Sequence, residues 1–381
     1  MLERAIEHLE VLVGFDSVSE HPNGPIADHL AGVLEGLGAQ VERQVNGEKV
    51  NLWARLGPDG PGGVILSAHM DVVPVAGQDW THPPFALTRD RGRLYGRGSC
   101  DMKGFIACVL AVLETAPPQV PIYVALTHDE EVGCLGAQHL VEWLKARDAH
   151  PALCLVGEPT EMRVIDAHKG CNEYTTRFTG RAGHGSDPDA GVNAAQYAAR
   201  FALGLEQIAA ALPVPEDSPF TPPHTTLNIG AIRGGSAHNV IPETAEIAWE
   251  FREVRADHAA QVRQKAESLR TKLEAEMQAR DPACSIRTDT IGEVVGLAPQ
   301  EPHPMRDLML SLTGENRAMS VAFGTEAGLF QSLGAATVVC GPGSIAQAHK
   351  ADEFIEESQM AACCALLVRL LRRLASDRGL V

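Results

Sequence analysis

Four short apolar runs constrain this chain more than anything else in it: VILSAH (64–69), IYVALT (122–127), PALCLVGEP (151–159) and AATVVCG (335–341). Such runs, lacking a polar residue at every second place, read as strands buried on both faces, which need helices above and below them. Segments with helical period stand among them: ERAIEHLEVLVGF, PIADHLAGVLEGLG with Gly36 and Gly38 as stops, GFIACVLAVLETA and GAQHLVEWLKAR. The alternation predicts an α/β fold with a mainly parallel sheet sandwiched by helices. In such sheets ligands bind beyond the carboxyl ends of the strands.

The pattern changes near residue 172. NEYTTRFTGRAG, TTLNIGAIRGG and AEIAWEFREV alternate as antiparallel strands do, and they stand among two helical stretches, NAAQYAARFALGLEQIAAAL and ADHAAQVRQKAESLRTKLEAEMQA. The expected organisation is a catalytic α/β domain from 1–172 and 294–381, interrupted by an inserted α+β domain at 173–293.

Composition narrows the function. Lys and Arg number 32 against 49 Asp and Glu, a formal charge of −17, and no basic run appears. Nucleic acid and anionic membrane are therefore not expected partners, whereas metal cations suit acidic clefts. Nine cysteines are scattered without a C-x-x-C pair, which argues for reduced thiols and against a disulfide framework. The start, MLERAIEHLEVLVGF, lacks a basic leader, and no apolar run approaches the ~20 residues of a membrane span. A cytoplasmic location is expected.

The apolar strands run straight into chemistry. VILSAHMDVVPV ends in His69 and Asp71, which share a face of an extended chain. YGRGSCDMKG places Asp101 before a helix, VALTHDEEVG ends in Glu130 and Glu131, CLVGEPT ends in Glu158, and VVCGPGSIAQAHKADE carries His349. Singly, each has a plain competitor: Asp101 as a helix cap, Glu130 and Glu131 as solvated acids, Glu158 as a turn residue, His349 as a surface histidine. Together they share one edge of one sheet, where uncompensated carboxylates raise one another's pKa by whole units. Sharing protons or binding metal relieves this, and two histidines favour metal. A thiolate-free His/Asp/Glu set suits Zn, Co or Mn. Adjacent side chains point apart, so one of Glu130 and Glu131 is a ligand and the other a base; the residues alone leave open which.

The ordered set SAHMDVVP, GRGSCDMKG, THDEEVG, GEPT and AHK resembles the dinuclear zinc aminoacylase and carboxypeptidase family of metallohydrolases over nearly the whole chain. FGTEAGLFQSLG and VVCGPGSIAQAHKADEF are most similar to its acetylornithine deacetylase members. The resemblance implies two Zn²⁺ per subunit, with Co²⁺ or Mn²⁺ able to substitute. His69, Asp101 and Glu158 would hold one ion, and Asp101, Glu131 and His349 the other. Glu130 would be the general base toward a water shared by both ions, and Asp71 would hydrogen-bond His69. The family's inserted domain is ferredoxin-like and dimerises, and His184 in TGRAGHGSDPDAGVNA matches a histidine that reaches into the partner subunit's site. Asn239 and Arg252 match substrate-carboxylate contacts, with a surface salt bridge as the competing reading for Arg252. Gly341 and Gly343 either approach the substrate with backbone N–H groups or make a turn. A cis peptide is implied at Asp101–Met102.

Leu329 stands where the desuccinylases of the family carry a carboxylate-gripping arginine. Glu326 is expected either to contact a substrate ammonium group or to cap a helix. The implied reaction is removal of the acetyl group from N2-acetyl-L-ornithine, in arginine biosynthesis. The rivals are deacylation of acetylcitrulline or of N-acetyl amino acids broadly, succinyl-diaminopimelate desuccinylation, a carboxypeptidase, and an inert binding or dimerisation module.

Overall fold

The computed structural model describes residues 1–377. They form two compact units: residues 1–167, 297–320 and 325 onward in the first, and residues 168–296 with 321–324 in the second. The sequence placed the boundaries at 172/173 and 293/294. The difference has a simple cause. Cys171–Thr179 and Ser285–Val294 are continuous strands of one sheet, and a cut inside either would break its ladder.

The first unit is built on an eight-stranded sheet in the spatial order Gln40–Asn46, Lys49–Leu56, Ile122–Thr127, Val64–His69, Leu153–Pro159, Ala336–Gly341, Ile165–His168, Met319–Val321. The central pairings are parallel, joining Val64–His69 to Ile122–Thr127 and to Leu153–Pro159, and Leu153–Pro159 to Ala336–Gly341. The outer Gln40–Asn46/Lys49–Leu56 hairpin and its pairing to Ile122–Thr127 are antiparallel. That hairpin turns on Gly47, whose φ of +59° supplies the left-handed position that a two-residue loop requires.

Both faces of this sheet are covered. One set of alternate strand residues, including Val64, Leu66, Ile122, Val124, Leu153 and Leu155, joins a large apolar cluster with three packed helices, Leu2–Val13, Lys103–Thr115 and Glu357–Ser376. The intervening residues Ile65, Ala125, Cys154, Val156 and Val339 are equally buried but lie outside that cluster. The other face is served by Leu135–Lys145 and Ala327–Gln331, which pack on each other and on strands of the sheet. Lys103–Thr115 is buried from Lys103 through Leu113, which is why its sequence is apolar all round. No helix among the described residues is long and apolar enough to cross a membrane.

The second unit runs strand, helix, strand, strand, helix, strand. Its four antiparallel strands lie in the order Thr226–Gly234, Thr244–Arg252, Cys171–Thr179, Ser285–Val294, the ferredoxin-like arrangement. Helices Ala194–Ala210 and Ala256–Gln278 share one apolar core with one face of this sheet. Tyr174 stacks on Trp249 at 4.6 Å, and the Trp249 indole donates to Thr176 Oγ1 at 3.0 Å. The buried aromatic ring therefore keeps its polar partner.

Candidate metal centre

The parallel core delivers its strand ends side by side. His69 closes Val64–His69, Glu158 is the next-to-last residue of Leu153–Pro159, and Glu130 and Glu131 follow Ile122–Thr127. Asp101 precedes the buried helix Lys103–Thr115, and His349 follows a short turn after Ala336–Gly341. The two oxygens of Asp101 divide between the histidines: Oδ1 lies 3.1 Å from His69 Nε2, and Oδ2 lies 3.5 Å from His349 Nε2. His349 Nε2 also lies 2.9 Å from Glu131 Oε2, and His69 Nε2 lies 3.7 Å from Glu158 Oε1. Ligand atoms of His69, Asp101 and Glu131 gather within 4.8 Å of one another, as do those of His69, Glu130 and Glu158. The Asp101–Met102 peptide is cis.

The electrostatics are those of an acid cluster short of positive charge. Burial pushes Glu130 up to about 8, with the neighbouring Glu131 and Asp101 charges adding to the rise. Burial and the Asp101 charge push Glu131 up to about 7, and burial with Asp101 and Glu130 carries Glu158 well above its ordinary value. His349 rises to about 10 because it bonds Asp101 and Glu131. Burial opposes a charge on His69, yet the carboxylates of Asp101, Glu158 and Glu130 hold its pKa well above the ordinary range. Buried together, these carboxylates raise one another's pKa.

The residues fit a divalent metal by a test independent of those shifts. Glu131 Oε1 and Glu158 Oε1 are buried and accept no hydrogen bond, an arrangement that is costly unless something else coordinates them. His69 donates from Nδ1 to the Asp71 carbonyl at 3.0 Å, which leaves Nε2 as the lone-pair nitrogen facing Asp101 and Glu158. Two imidazoles and four carboxylates without thiolate make a borderline-hard donor set for zinc, cobalt or manganese.

Asp71 differs from expectation in how it acts. Its carboxylate stands 3.7 Å from His69 Nδ1, and its backbone carbonyl holds the ring instead. The carboxylate accepts the backbone N–H of Glu130 at 3.1 Å and of Glu131 at 3.3 Å, and the Ser19 hydroxyl at 2.7 Å. Asp71 thereby positions the Glu130–Glu131 pair.

Glu326 needs a larger correction. It is fully buried, with one carboxylate oxygen on the Ser67 hydroxyl and the other on Thr127 Oγ1 at 2.7 Å. It precedes the helix Ala327–Gln331 without a side-chain cap bond. Neither ammonium contact nor capping describes it; it is an interior acid tied to two strands. Gly341 and Gly343 also fall on the turn reading, since their N–H groups are taken by Thr160 Oγ1 and Gln359 Oε1 at 3.2 Å each. Gly343 has φ +91°, and a Cβ there would meet Cys100 Sγ at 2.5 Å.

In the second unit, His184 is exposed, and its Nδ1 lies 2.7 Å from the Ser186 hydroxyl. Asn239 is exposed, and its carbonyl accepts the Gly185 N–H at 2.7 Å. Arg252 pairs with Glu250 at 3.2 Å and donates to the Ala322 carbonyl at 3.4 Å, the salt-bridge arrangement. A third group of possible ligands, Cys171, Glu173 and Glu250, has this Arg252 guanidinium as its counter-charge.

Sequence reading missed Glu353 and Arg97, each 1% exposed and paired at 2.8 Å. Glu353 stands four residues after His349, and nothing in AHKADEF marks it as more than a loop acid.

Residues 65–373 match the profile of peptidase family M20/M25/M40. The chain is 37% identical to the acetylornithine deacetylase of Myxococcus xanthus over 379 residues, covering 97% of each chain. It is 36% identical to that of Proteus mirabilis over 349 residues, covering 90% of this chain and 87% of the relative. In fold it is similar to an M20 family metallo-carboxypeptidase from Sulfolobus solfataricus, with TM-score 0.79, 15% identity and coverage of 97% and 99%. A tripeptidase from Staphylococcus aureus aligns with TM-score 0.75, 18% identity and 99% of both chains.

Proposed function

The chain belongs to peptidase family M20/M25/M40, and on that premise we propose that it hydrolyses N2-acetyl-L-ornithine to L-ornithine and acetate, a step of arginine biosynthesis carried out in the cytoplasm. The observation that carries the hydrolytic reading is Asp101, whose two carboxylate oxygens face His69 and His349 separately. The choice of substrate is supported by three relatives 33%, 36% and 37% identical over at least 90% of this chain, each named acetylornithine deacetylase. Leu329, buried and apolar where a desuccinylase would carry arginine, points the same way. Glu326, being interior, contributes nothing to the choice.

In this proposal His69, Asp101 and Glu158 hold one Zn²⁺, and Asp101, Glu131 and His349 hold a second, Co²⁺ or Mn²⁺ being able to substitute. When bound, the metals supply Lewis acidity, lowering the pKa of water and polarising an amide carbonyl. Glu130 takes the proton of the attacking water. As the C–N bond breaks, Glu130 returns that proton to the departing amine, so its own protonation state is restored at the end of each turnover. The Asp71 carboxylate steadies Glu130 through the backbone, and its carbonyl fixes which nitrogen of His69 carries the proton.

The second unit enters by resemblance alone. His184 is proposed as an oxyanion donor acting across a homodimer, and Asn239 and Arg252 as contacts for the substrate carboxylate. The experiment is a panel of acetylornithine, acetylcitrulline, succinyl-diaminopimelate and acetylmethionine compared by kcat/KM with zinc or cobalt present. Acetylornithine should lead by more than about tenfold, a difference of roughly 1.4 kcal/mol in transition-state binding. A lead for any other member replaces the substrate assignment, and hydrolysis of none overturns the reading.

A further inference from the structure

Asp101 and His349 belong to different loops, yet one buried ion pair touches the backbone of both. Glu353 Oε1 accepts the backbone N–H of Cys100 at 2.9 Å and of Asp101 at 3.0 Å. Glu353 Oε2 accepts the Gly98 N–H at 2.9 Å and Arg97 Nη1 at 2.8 Å. Four donors thus converge on one carboxylate, three of them amides of the turn that presents Asp101. Gly98 has φ +79°, and a Cβ there would meet Val72 Cγ1 at 2.7 Å, so this turn accepts glycine alone at that place.

Arg97 faces the other loop. Its Nη1 donates to the Lys350 carbonyl at 3.3 Å, and its Nη2 donates to Gln78 Oε1 at 2.6 Å. Gln78 in turn donates from Nε2 to the His349 carbonyl at 2.9 Å. The guanidinium lies 5.0 Å from the centre of the Trp80 ring, which holds its plane. A pair serving stability alone is often replaceable by apolar side chains. This one instead spends its hydrogen bonds on the main chain beside two proposed ligands. The planar fork of arginine can serve Glu353 and Gln78 together, which a lysine ammonium cannot do.

Resting on the metal reading above, we infer that the Arg97–Glu353 pair is a positioning clamp that sets the Asp101 and His349 loops at the spacing their shared cation requires. His349 serves one of the two proposed ions and Asp101 serves both. Loosening the clamp should therefore weaken the Asp101–Glu131–His349 site more than the site with Glu158.

The test is titration of the metal-free full chain with Co²⁺, followed by calorimetry and visible absorption, on wild type, Glu353→Gln and Arg97→Lys. In Glu353→Gln one half of the former carboxylate presents N–H groups to N–H donors. Wild type should take up two equivalents. Glu353→Gln, with its circular dichroism unchanged, should keep one equivalent at wild-type affinity and bind the other about 10–100-fold less well, the scale seen when partners of metal ligands are altered. The absorption of that equivalent should change too. Arg97→Lys should move in the same direction by less, and it decides the matter if Glu353→Gln does not fold. Wild-type affinity and spectra for both equivalents in a folded variant would overturn the clamp, as would equal weakening of both together with a lowered melting temperature. Uptake of fewer than two equivalents by wild type would instead strike the metal reading itself.

Discussion

The two largest sheets of this protein treat their acids differently. On the open face of the four-stranded sheet three acids have arginines: Glu246 and Asp289 pair with Arg177, Glu246 also with Arg233, and Glu250 with Arg252. At the rim of the eight-stranded sheet Asp101, Glu131 and Glu158 face the imidazoles of His69 and His349, Glu130 accepts from the Cys134 thiol at 3.3 Å, and none of the four pairs with a lysine or arginine among the described residues. A face whose charges cancel within the chain is scaffold. A rim whose charges do not cancel is finished only by a cation from outside.

The contrast should be sharpest in catalysis. Glu130→Gln should lower kcat by about 10²–10⁴ while metal content, read by elemental analysis, stays at the wild-type level. A loss of metal alongside activity would make Glu130 a ligand and reassign the rim. Cation removal should show next. Ligand present at about a thousandfold over its Kd stabilises a fold by roughly 4 kcal/mol, so chelation should lower the melting temperature by several degrees and re-addition of zinc should restore it.

Acid should act on the second unit by a different route. His168 is buried and donates from Nδ1 to the Lys169 carbonyl, 2.8 Å away, and burial pushes its pKa down to about 4. Its folded pKa lies below the unfolded value near 6.5, so the unfolded chain binds the extra proton. Stability is therefore full above about 6.5 and is lost as pH falls toward 4, by about 3 kcal/mol in all. His168→Gln should flatten that part of the curve of unfolding free energy against pH; an unchanged slope would assign the acid loss elsewhere. The smallest effect is expected at Arg177→Ala. Exposed pairs contribute about 0–1 kcal/mol, so urea unfolding should shift by less than that and kcat should not move.

How much of this could be read from sequence follows the same division. His69, Glu130, Glu131 and Glu158 were legible because apolar strands run directly into them, so the strand ends announce the rim. Glu326 was misread because its surroundings, Ser67 and Thr127, lie 259 and 199 residues away in the chain. In GTEAGLF nothing distinguishes a buried acid from an exposed one. Glu353 was passed over because it acts on backbone N–H groups, which every residue possesses and no motif records. Asp71 was placed correctly in the neighbourhood but with its groups exchanged, since sequence shows that an aspartate is close to a histidine and not whether carbonyl or carboxylate does the holding.

One number decides whether the rim is a metal centre: how many divalent ions a pure chain retains when the rim is intact and when it is not. Wild type should hold two equivalents of zinc or cobalt by elemental analysis, and His349→Ala should hold one with hydrolysis of acetylornithine abolished. Activity that survives exhaustive chelation, or a chain that takes up no ion after careful reloading, would contradict it.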